Sequence, residues 1–136
     1  MKYRALSAVS HRPVAGRFPV RLACWLLDQP VLGQRSAVKR LAGGLLKQPA
    51  RRGVVVAQSR LGQLLCRDSG NARDRRIGQE LLRQAARAGD QRAQLELGRF
   101  YCQPRQRELQ QARHWLVLAA AQGSPEAERL LQRLRH

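Results

Sequence analysis

The sequence predicts an all-α fold, an α-solenoid of antiparallel helix-turn-helix repeats that ends in a C-terminal capping helix. The first observation is internal repetition, because the pattern of residues 93–127 is already present in residues 57–93, displaced by 34 to 36 positions. The second is that apolar residues in both blocks recur at intervals of three and four, which places them on one helical face. The third is a glycine between the blocks. A period of this length with helical spacing is typical of stacked helix pairs.

The positions that define the repeat are apolar, and most of them are small. They are Ala57, Leu61, Gly62, Leu82, Ala86, Gly89, Ala93, Leu97, Gly98, Tyr101, Ala112, Trp115, Leu116, Ala120, Gly123 and Ala127. Small side chains allow two helix axes to approach closely, and the bulkier Trp115 and Leu116 then fill the space beside them. The sequence therefore predicts seams between helices that are lined mainly by alanine and glycine.

The helix ends can be read from short-range signals. Gly89 and Gly123 each follow a helix, at a point where a left-handed terminating conformation favours glycine. Asp90 and Ser124 come next and are the predicted N-caps, and Pro125 suits the first turn of a helix. Loops this short predict that consecutive helices are antiparallel neighbours.

These residues resemble the Sel1-like repeats of the tetratricopeptide superfamily. The pattern of that family has an alanine, a Leu-Gly pair, a tyrosine, a loop, an acidic residue, an alanine, an aromatic-leucine pair, Ala-Ala, a glycine and a closing alanine. The block from Ala93 to Ala127 matches almost throughout, with Glu108 in the acidic place. In the earlier block Asp74 holds the acidic place, whereas glycine and leucines replace the alanine, the aromatic residue and the tyrosine. The resemblance implies a right-handed superhelix that is non-catalytic and holds a peptide or a partner protein on its concave face.

A third, degenerate copy of the pattern is predicted upstream. The spacing recurs at Ala42, Leu45, Leu46, Ala50 and Gly53, and the first helix of this copy contains Ala23 and Leu27. Asp28 stands where the family has glycine, and Pro30, Pro49 and the Gly43-Gly44 pair weaken the helices. The alternative is that an apolar helical segment matches the pattern by chance. Either interpretation predicts helix.

The chain divides into a basic arm and one repeat domain. Residues 1–16 are predicted to be a flexible basic arm, with an organellar transit peptide as the alternative. Residues 17–136 form the domain, with the degenerate repeat at about 20–53, repeats at about 54–89 and 90–123, and a capping helix at 124–136. No apolar run approaches the ~20 residues that cross a bilayer, so no membrane span is expected.

Three cysteines without a Cys-x-x-Cys pair predict neither a zinc site nor a redox motif, and they favour a reducing, cytoplasmic compartment. Cys66 and Cys102 occupy the same place in successive repeats, which invites a disulfide hypothesis. Equivalent positions in stacked repeats lie about 10 Å apart or more, whereas the Cα atoms of a disulfide come within ~7 Å. We therefore expect both residues to be small hydrophobes in the core.

The composition is strongly basic. The chain has 26 basic residues, 23 of them arginine, against 9 acidic residues, for a formal net charge of +17. In the second half most acids have an arginine three or four places away, as in the pairs Glu80 with Arg83, Glu96 with Arg99, and Glu126 with Arg129. The surplus is either functional, because arginine binds carboxylates and phosphates bidentately, or compositional, because a genome rich in guanine and cytosine favours arginine codons.

Two sets of side chains are the predicted partner contacts. On the first helix of each pair, which lines the concave face in the family, the outward positions include Arg60, Gln63, Gln94 and Arg99. The second set lies in basic segments and comprises Arg35, Lys39, Arg40, Arg51, Arg52, Arg73, Arg75 and Arg76.

No enzymatic pattern is present, because paired carboxylates, a pocket histidine, a nucleophile elbow and a phosphate loop are all missing from the sequence. We therefore predict a non-catalytic adaptor without cofactor or metal, which binds an acidic peptide or an acidic partner protein. The alternatives are a basic accessory protein that contacts nucleic-acid phosphates, although no nucleic-acid module or stacking platform accompanies the charge, and a purely structural subunit.

Overall fold

The computed structural model describes residues 18–68 and 70–135, and the predicted basic arm at residues 1–16 lies outside this part of the chain. Every regular element in the described residues is helical, which confirms the predicted all-α class. The helices are α1 over residues 18–28, α2 Ser36–Arg51, α3 Val55–Asp68, α4 Ala72–Arg87, α5 Gln91–Cys102, α6 Leu109–Ala121 and α7 Pro125–Arg135. A short 3-10 turn, Leu32–Gln34, lies between α1 and α2.

The turns between the helices have the predicted chemistry. Gly89 and Gly123 adopt φ values of +97° and +92°, the left-handed conformation in which glycine carries no steric penalty. The Asp90 carboxylate accepts a hydrogen bond from the Ala93 backbone N–H at 2.9 Å, and Ser124 Oγ accepts one from the Ala127 N–H at 3.2 Å. Each turn therefore stops one helix and caps the next within about three residues, and consecutive helices form hairpins.

Successive hairpins pack mainly through the second helix of one and the first helix of the next, α4 against α5 and α6 against α7. Helix α3 contacts α5, and α5 contacts α7, more extensively than the second helices α4 and α6 contact each other. Because the first helices lie closer to one another than the second helices do, we assign α3, α5 and α7 to the inner side of the stack. We call the surface formed by α1, α3, α5 and α7 the inner face.

Within each hairpin, the two helices approach each other closely at glycine residues, and these contacts fix how the helices pack. In the α3–α4 hairpin a Cβ on Gly62 would lie 2.8 Å from the Gly78 carbonyl oxygen, and a Cβ on Gly78 would lie 2.9 Å from the Gly62 carbonyl oxygen. In the α5–α6 hairpin a Cβ on Gly98 would lie 2.5 Å from Cγ of the fully buried Leu116. Gly78 replaces the alanine of the family pattern, and this double absence of Cβ atoms lets α3 and α4 pack backbone to backbone.

The upstream segment also forms a helix pair that packs on the array. Ala23 of α1 and Ala42 and Leu46 of α2 are fully buried in one cluster with Ala57 of α3. Helix α2 continues through the Gly43-Gly44 pair and includes Pro49 in its last turn. The helical prediction is therefore confirmed, while the assignment of this pair as a degenerate repeat stays a prediction.

Helix α7 closes the described chain. Ala127 is fully buried, and Leu130, Leu131 and Leu134 are half-buried against the preceding hairpin, with Arg129, Arg133 and Arg135 exposed. In the residues that the structure describes, no helix combines the length and apolar character needed to span a bilayer.

Candidate functional site

Glu96 of α5 is the centre of a polar network on the inner face. Its side chain is only 8% exposed, and one carboxylate oxygen accepts hydrogen bonds from Gln63 Nε2 at 3.1 Å and from Arg99 Nη1 at 2.9 Å. Arg67 of α3 donates to the same oxygen. A single buried acid therefore orients two arginines and one amide that come from two neighbouring hairpins.

The same kind of contact recurs at the next seam. Gln63 and Arg99 stand 36 residues apart, at equivalent places in their repeats. Gln63 Oε1 accepts from Arg92 Nη1 at 3.3 Å, whereas Arg99 donates to Glu126 of α7. Side chains that follow the Leu-Gly pair of one hairpin thus reach the start of the first helix in the next hairpin.

A cleft of about 360 Å³ opens at the edge of the inner face, where α1, the 3-10 turn, α2, α3 and α5 meet. Its polar lining includes four cations and two acids: Lys39, Arg60, Arg67, Arg92, Asp28 and Asp68. Arg60 Nη2 donates to Asp28 Oδ1 at 2.8 Å, and Lys39 Nζ donates to Asp68 Oδ1 at 2.9 Å. We call this cavity the charged cleft.

The structure differs from the expected outward placement of Gln94 and Arg60. Gln94 is only 3% exposed. It donates a hydrogen bond to the Ala86 carbonyl at 3.2 Å and accepts one from Gln122 at 2.8 Å, so its side chain stabilises the turn that precedes α5. Gln58, its equivalent in the earlier repeat, donates to the Ala50 carbonyl in the same way. The guanidinium of Arg60 points inward because Asp28 and the Cys24 carbonyl accept hydrogen bonds from it. Their burial leaves Gln63 and Arg99 as the partly exposed members of the first predicted set.

The second predicted set lies mostly away from this face. Lys39 lines the charged cleft, whereas the other seven are exposed on or beside α2 and α4 and do not line it: Arg35, Arg40, Arg51, Arg52, Arg73, Arg75 and Arg76. The structure thus separates the predicted contacts into a group on the inner face and a group on the outer helices.

Sequence reasoning missed several residues of the inner face. Glu96 and Glu126 look like ordinary acids paired with the arginine three places on, and Glu96 does accept from Arg99. Glu126, however, binds Arg99 of the neighbouring hairpin rather than the predicted Arg129. Arg67 and Arg92 carry no local signal at all. The 36-residue offset between Gln63 and Arg99 was the one sequence clue to the seam contacts.

Replacing Glu96 with glutamine is expected to lower the free energy of unfolding by about 1–2 kcal/mol, because two arginines lose the charge that holds them. Urea denaturation followed by circular dichroism measures the change. Glu80→Gln is the matched control, because Glu80 is 55% exposed and its ion pair with Arg83 is long, at 3.5 Å. This substitution should change the free energy of unfolding by less than about 0.5 kcal/mol. Equal effects of the two substitutions would contradict the central role of Glu96.

All three cysteines are free thiols, and the pKa of Cys66 is the most strongly raised of the three. Burial, with a smaller contribution from the Glu96 charge, raises the pKa of Cys66 from 9.0 to about 11. Below pH 9 the folded protein should hold roughly a hundredfold less Cys66 thiolate than the unfolded chain does, and alkylation should be slowed accordingly. The stabilisation from the protonated thiol is complete below pH 9 and is lost as the pH rises toward 11.

Iodoacetamide labelling at pH 8, followed by mass spectrometry of the Cys66 peptide, tests this expectation. The same reaction in urea supplies the unfolded reference. A folded-state rate equal to the rate in urea would show that the thiol is not shielded.

The fold and the inner face define a class: a protein built of stacked helical hairpins. A family model for the Sel1 repeat matches residues 55–90 and 91–124, which together are just over half of the chain and correspond to the hairpins α3–α4 and α5–α6. The chain therefore belongs to the Sel1 repeat family, and the resemblance inferred from its repeat-defining residues is confirmed. Comparison with curated proteins and with solved structures gives no significant match.

Proposed function

We propose that this protein is a non-catalytic adaptor that binds an acidic segment of a partner protein on its inner face. Sel1 repeats generally mediate protein–protein interaction and are typically scaffolds without catalytic activity. A reducing, cytoplasmic setting fits the three free thiols. The net charge of +17 steers an acidic partner toward the protein, and the curved stack supplies a continuous surface for it.

The observation that carries this proposal is the state of the arginines around Glu96. Arg67 and Arg99 keep 50% and 30% of their side chains exposed, although each already donates to Glu96 and Arg99 also donates to Glu126. A guanidinium has five N–H donors, so both residues can bind a further carboxylate while Glu96 holds them in place. Preorganised donors lose less side-chain entropy on binding, which favours a peptide carboxylate over water.

Affinity capture from the native host, with nuclease treatment and moderate salt, tests the proposal. We expect one saturable protein partner to remain, and we expect its recovery to fall sharply for the double variant Arg67→Gln/Arg99→Gln. Arg129→Gln, an exposed arginine of α7, is the matched control and should retain the partner. Loss of every bound protein after nuclease treatment, or equal capture by the two variants, would contradict the adaptor proposal.

The second candidate function is phosphate contact with a nucleic acid. It is favoured by the exposed arginines of the outer helices, above all Arg35, Arg40, Arg73 and Arg76, which lie outside the charged cleft. For such binding, a plot of log affinity against log salt concentration has a slope of about −0.9 per phosphate contacted. Arg73→Gln/Arg76→Gln should then make the slope less steep, whereas an adaptor that uses the inner face would keep its partner in this variant.

A further inference from the structure

We propose that the charged cleft is a binding pocket for one carboxylate side chain, which Arg92 and Arg60 hold. The proposal rests on the adaptor function and deepens it, because it locates where the acidic segment is anchored. Two independent observations carry it: an uncompensated charge at the mouth of the cleft and an unsatisfied donor in its wall.

The first observation is the charge balance of the lining. Asp68 neutralises Lys39, Asp28 neutralises Arg60, and Glu96 accepts from Arg67. The hydrogen-bond partner of Arg92 is the neutral amide oxygen of Gln63, at 3.3 Å. Among the described residues that line the cleft, Arg92 is therefore the cation without a bound carboxylate. One further negative charge would give each of the four cations a carboxylate partner.

The second observation is the state of the Arg60 guanidinium. The Arg60 side chain is 7% exposed, and its Nε–H has no acceptor among the described residues, although Nη2 is bonded to Asp28. A buried donor without an acceptor is costly, and a donor on a charged group more so. A carboxylate oxygen that enters the cleft would supply this acceptor.

The electrostatics of Arg92 agree with this geometry. Desolvation, followed by the positive charge of Arg60, lowers the pKa of Arg92, and the smaller contributions of Asp28 and Asp90 act in the opposite direction. An anion held by the two arginines relieves the first two effects. The acids of the lining, Asp28 and Asp68, repel a second negative charge, so a singly charged carboxylate suits the cleft better than a dianionic phosphate.

Nuclear magnetic resonance of the full chain, labelled with ¹⁵N-arginine, tests the pocket directly. The probe is an acetylated and amidated pentapeptide of glycine and serine with one central glutamate, and its twins carry glutamine or phosphoserine at that place. We expect the Nε–H resonances of Arg60 and Arg92 to shift and saturate with the glutamate peptide and to stay in place with the glutamine peptide. Other arginine resonances should move little.

Arg92→Gln should weaken binding of the glutamate peptide at least fivefold, and Arg92→Lys, which keeps the charge, should restore part of the loss. Arg113→Gln is the matched control, because Arg113 is exposed on α6 outside the cleft, and its affinity should lie within twofold of the parent. Amide spectra of the variants verify that the fold is retained.

Equal affinity of Arg92→Gln and Arg113→Gln, or shifts that spread over all arginines without saturation, would overturn the pocket. A phosphoserine peptide that binds more than tenfold tighter than the glutamate peptide would overturn the carboxylate assignment. These results are separate from the capture experiment. A protein partner that needs Arg67 and Arg99 but not Arg92 would leave the adaptor function standing without the pocket.

Discussion

Replacing Gly62 with alanine is expected to lower the free energy of unfolding by about 2 kcal/mol, even though alanine is the better helix former by about 1 kcal/mol. The new Cβ would lie 2.8 Å from the Gly78 carbonyl oxygen and 2.8 Å from Cγ of Leu82. The first of these atoms belongs to the backbone of α4 and cannot rotate away. The α3–α4 hairpin must therefore open, and the loss of packing outweighs the gain in helix propensity.

Urea denaturation gives the size of this effect, and Gly44→Ala is its matched control. Gly44 also lies inside a helix, but a Cβ there would meet no atom within 4 Å, so the same substitution should raise stability by up to about 1 kcal/mol. Opposite signs at the two positions are the expected result. A Gly62→Ala variant as stable as the parent would show that the helix crossing tolerates a methyl group and that close backbone contact does not define the hairpin.

Leu116→Ala is expected to cost 2–5 kcal/mol on the same measurement, the usual range for a buried leucine. Leu116 is completely buried at the α5–α6 crossing, where its branch lies over Gly98. Leu118→Ala provides the comparison on the same helix, since Leu118 is 38% exposed and should cost clearly less. Similar losses at the two leucines would contradict the assigned orientation of α6.

A double-mutant cycle sharpens this prediction. In the parent, Gly98→Ala should destabilise the protein, because its Cβ would lie 2.5 Å from Cγ of Leu116. In the Leu116→Ala background the same methyl group enters the vacated space, so Gly98→Ala should become neutral or stabilising. The sign of one substitution thus depends on the residue that faces it, and additive effects would refute the direct contact.

The elements that could be predicted from the sequence are those set by short-range chemistry or by repetition. Gly89 and Gly123 adopt the left-handed conformation that ends a helix, and Asp90 and Ser124 accept a hydrogen bond from the backbone N–H three residues later. Both features depend on adjacent residues, so the helix ends could be predicted. The seams followed from the recurrence of small residues at a fixed period. Family membership rested on the same recurrence.

The inner face could be predicted only in part, because its bonds join residues about 30 positions apart. Arg60 carries a charge at an outward-seeming place, yet it is buried since Asp28 accepts from it across the α1–α3 seam. Gln94 is polar, yet its side chain is buried in hydrogen bonds with Ala86 and Gln122 and is not available to a partner. Helical periodicity assigns a residue to a face, but it does not show which neighbouring helix covers that face.

The side-by-side arrangement of α3, α5 and α7 has a consequence for any extended peptide laid across them. Neighbouring helix axes in proteins lie about 8–10 Å apart, and a peptide in the polyproline II conformation advances about 3.1 Å per residue with three residues per turn, so every third side chain points the same way. Every third residue of such a peptide would therefore meet the same repeat position on the following hairpin. With this geometry, a peptide with an acid at every third position should bind more tightly than a continuous acidic tract of equal charge. The proposed adaptor would then select its partner by the spacing of the acids as well as by their negative charge.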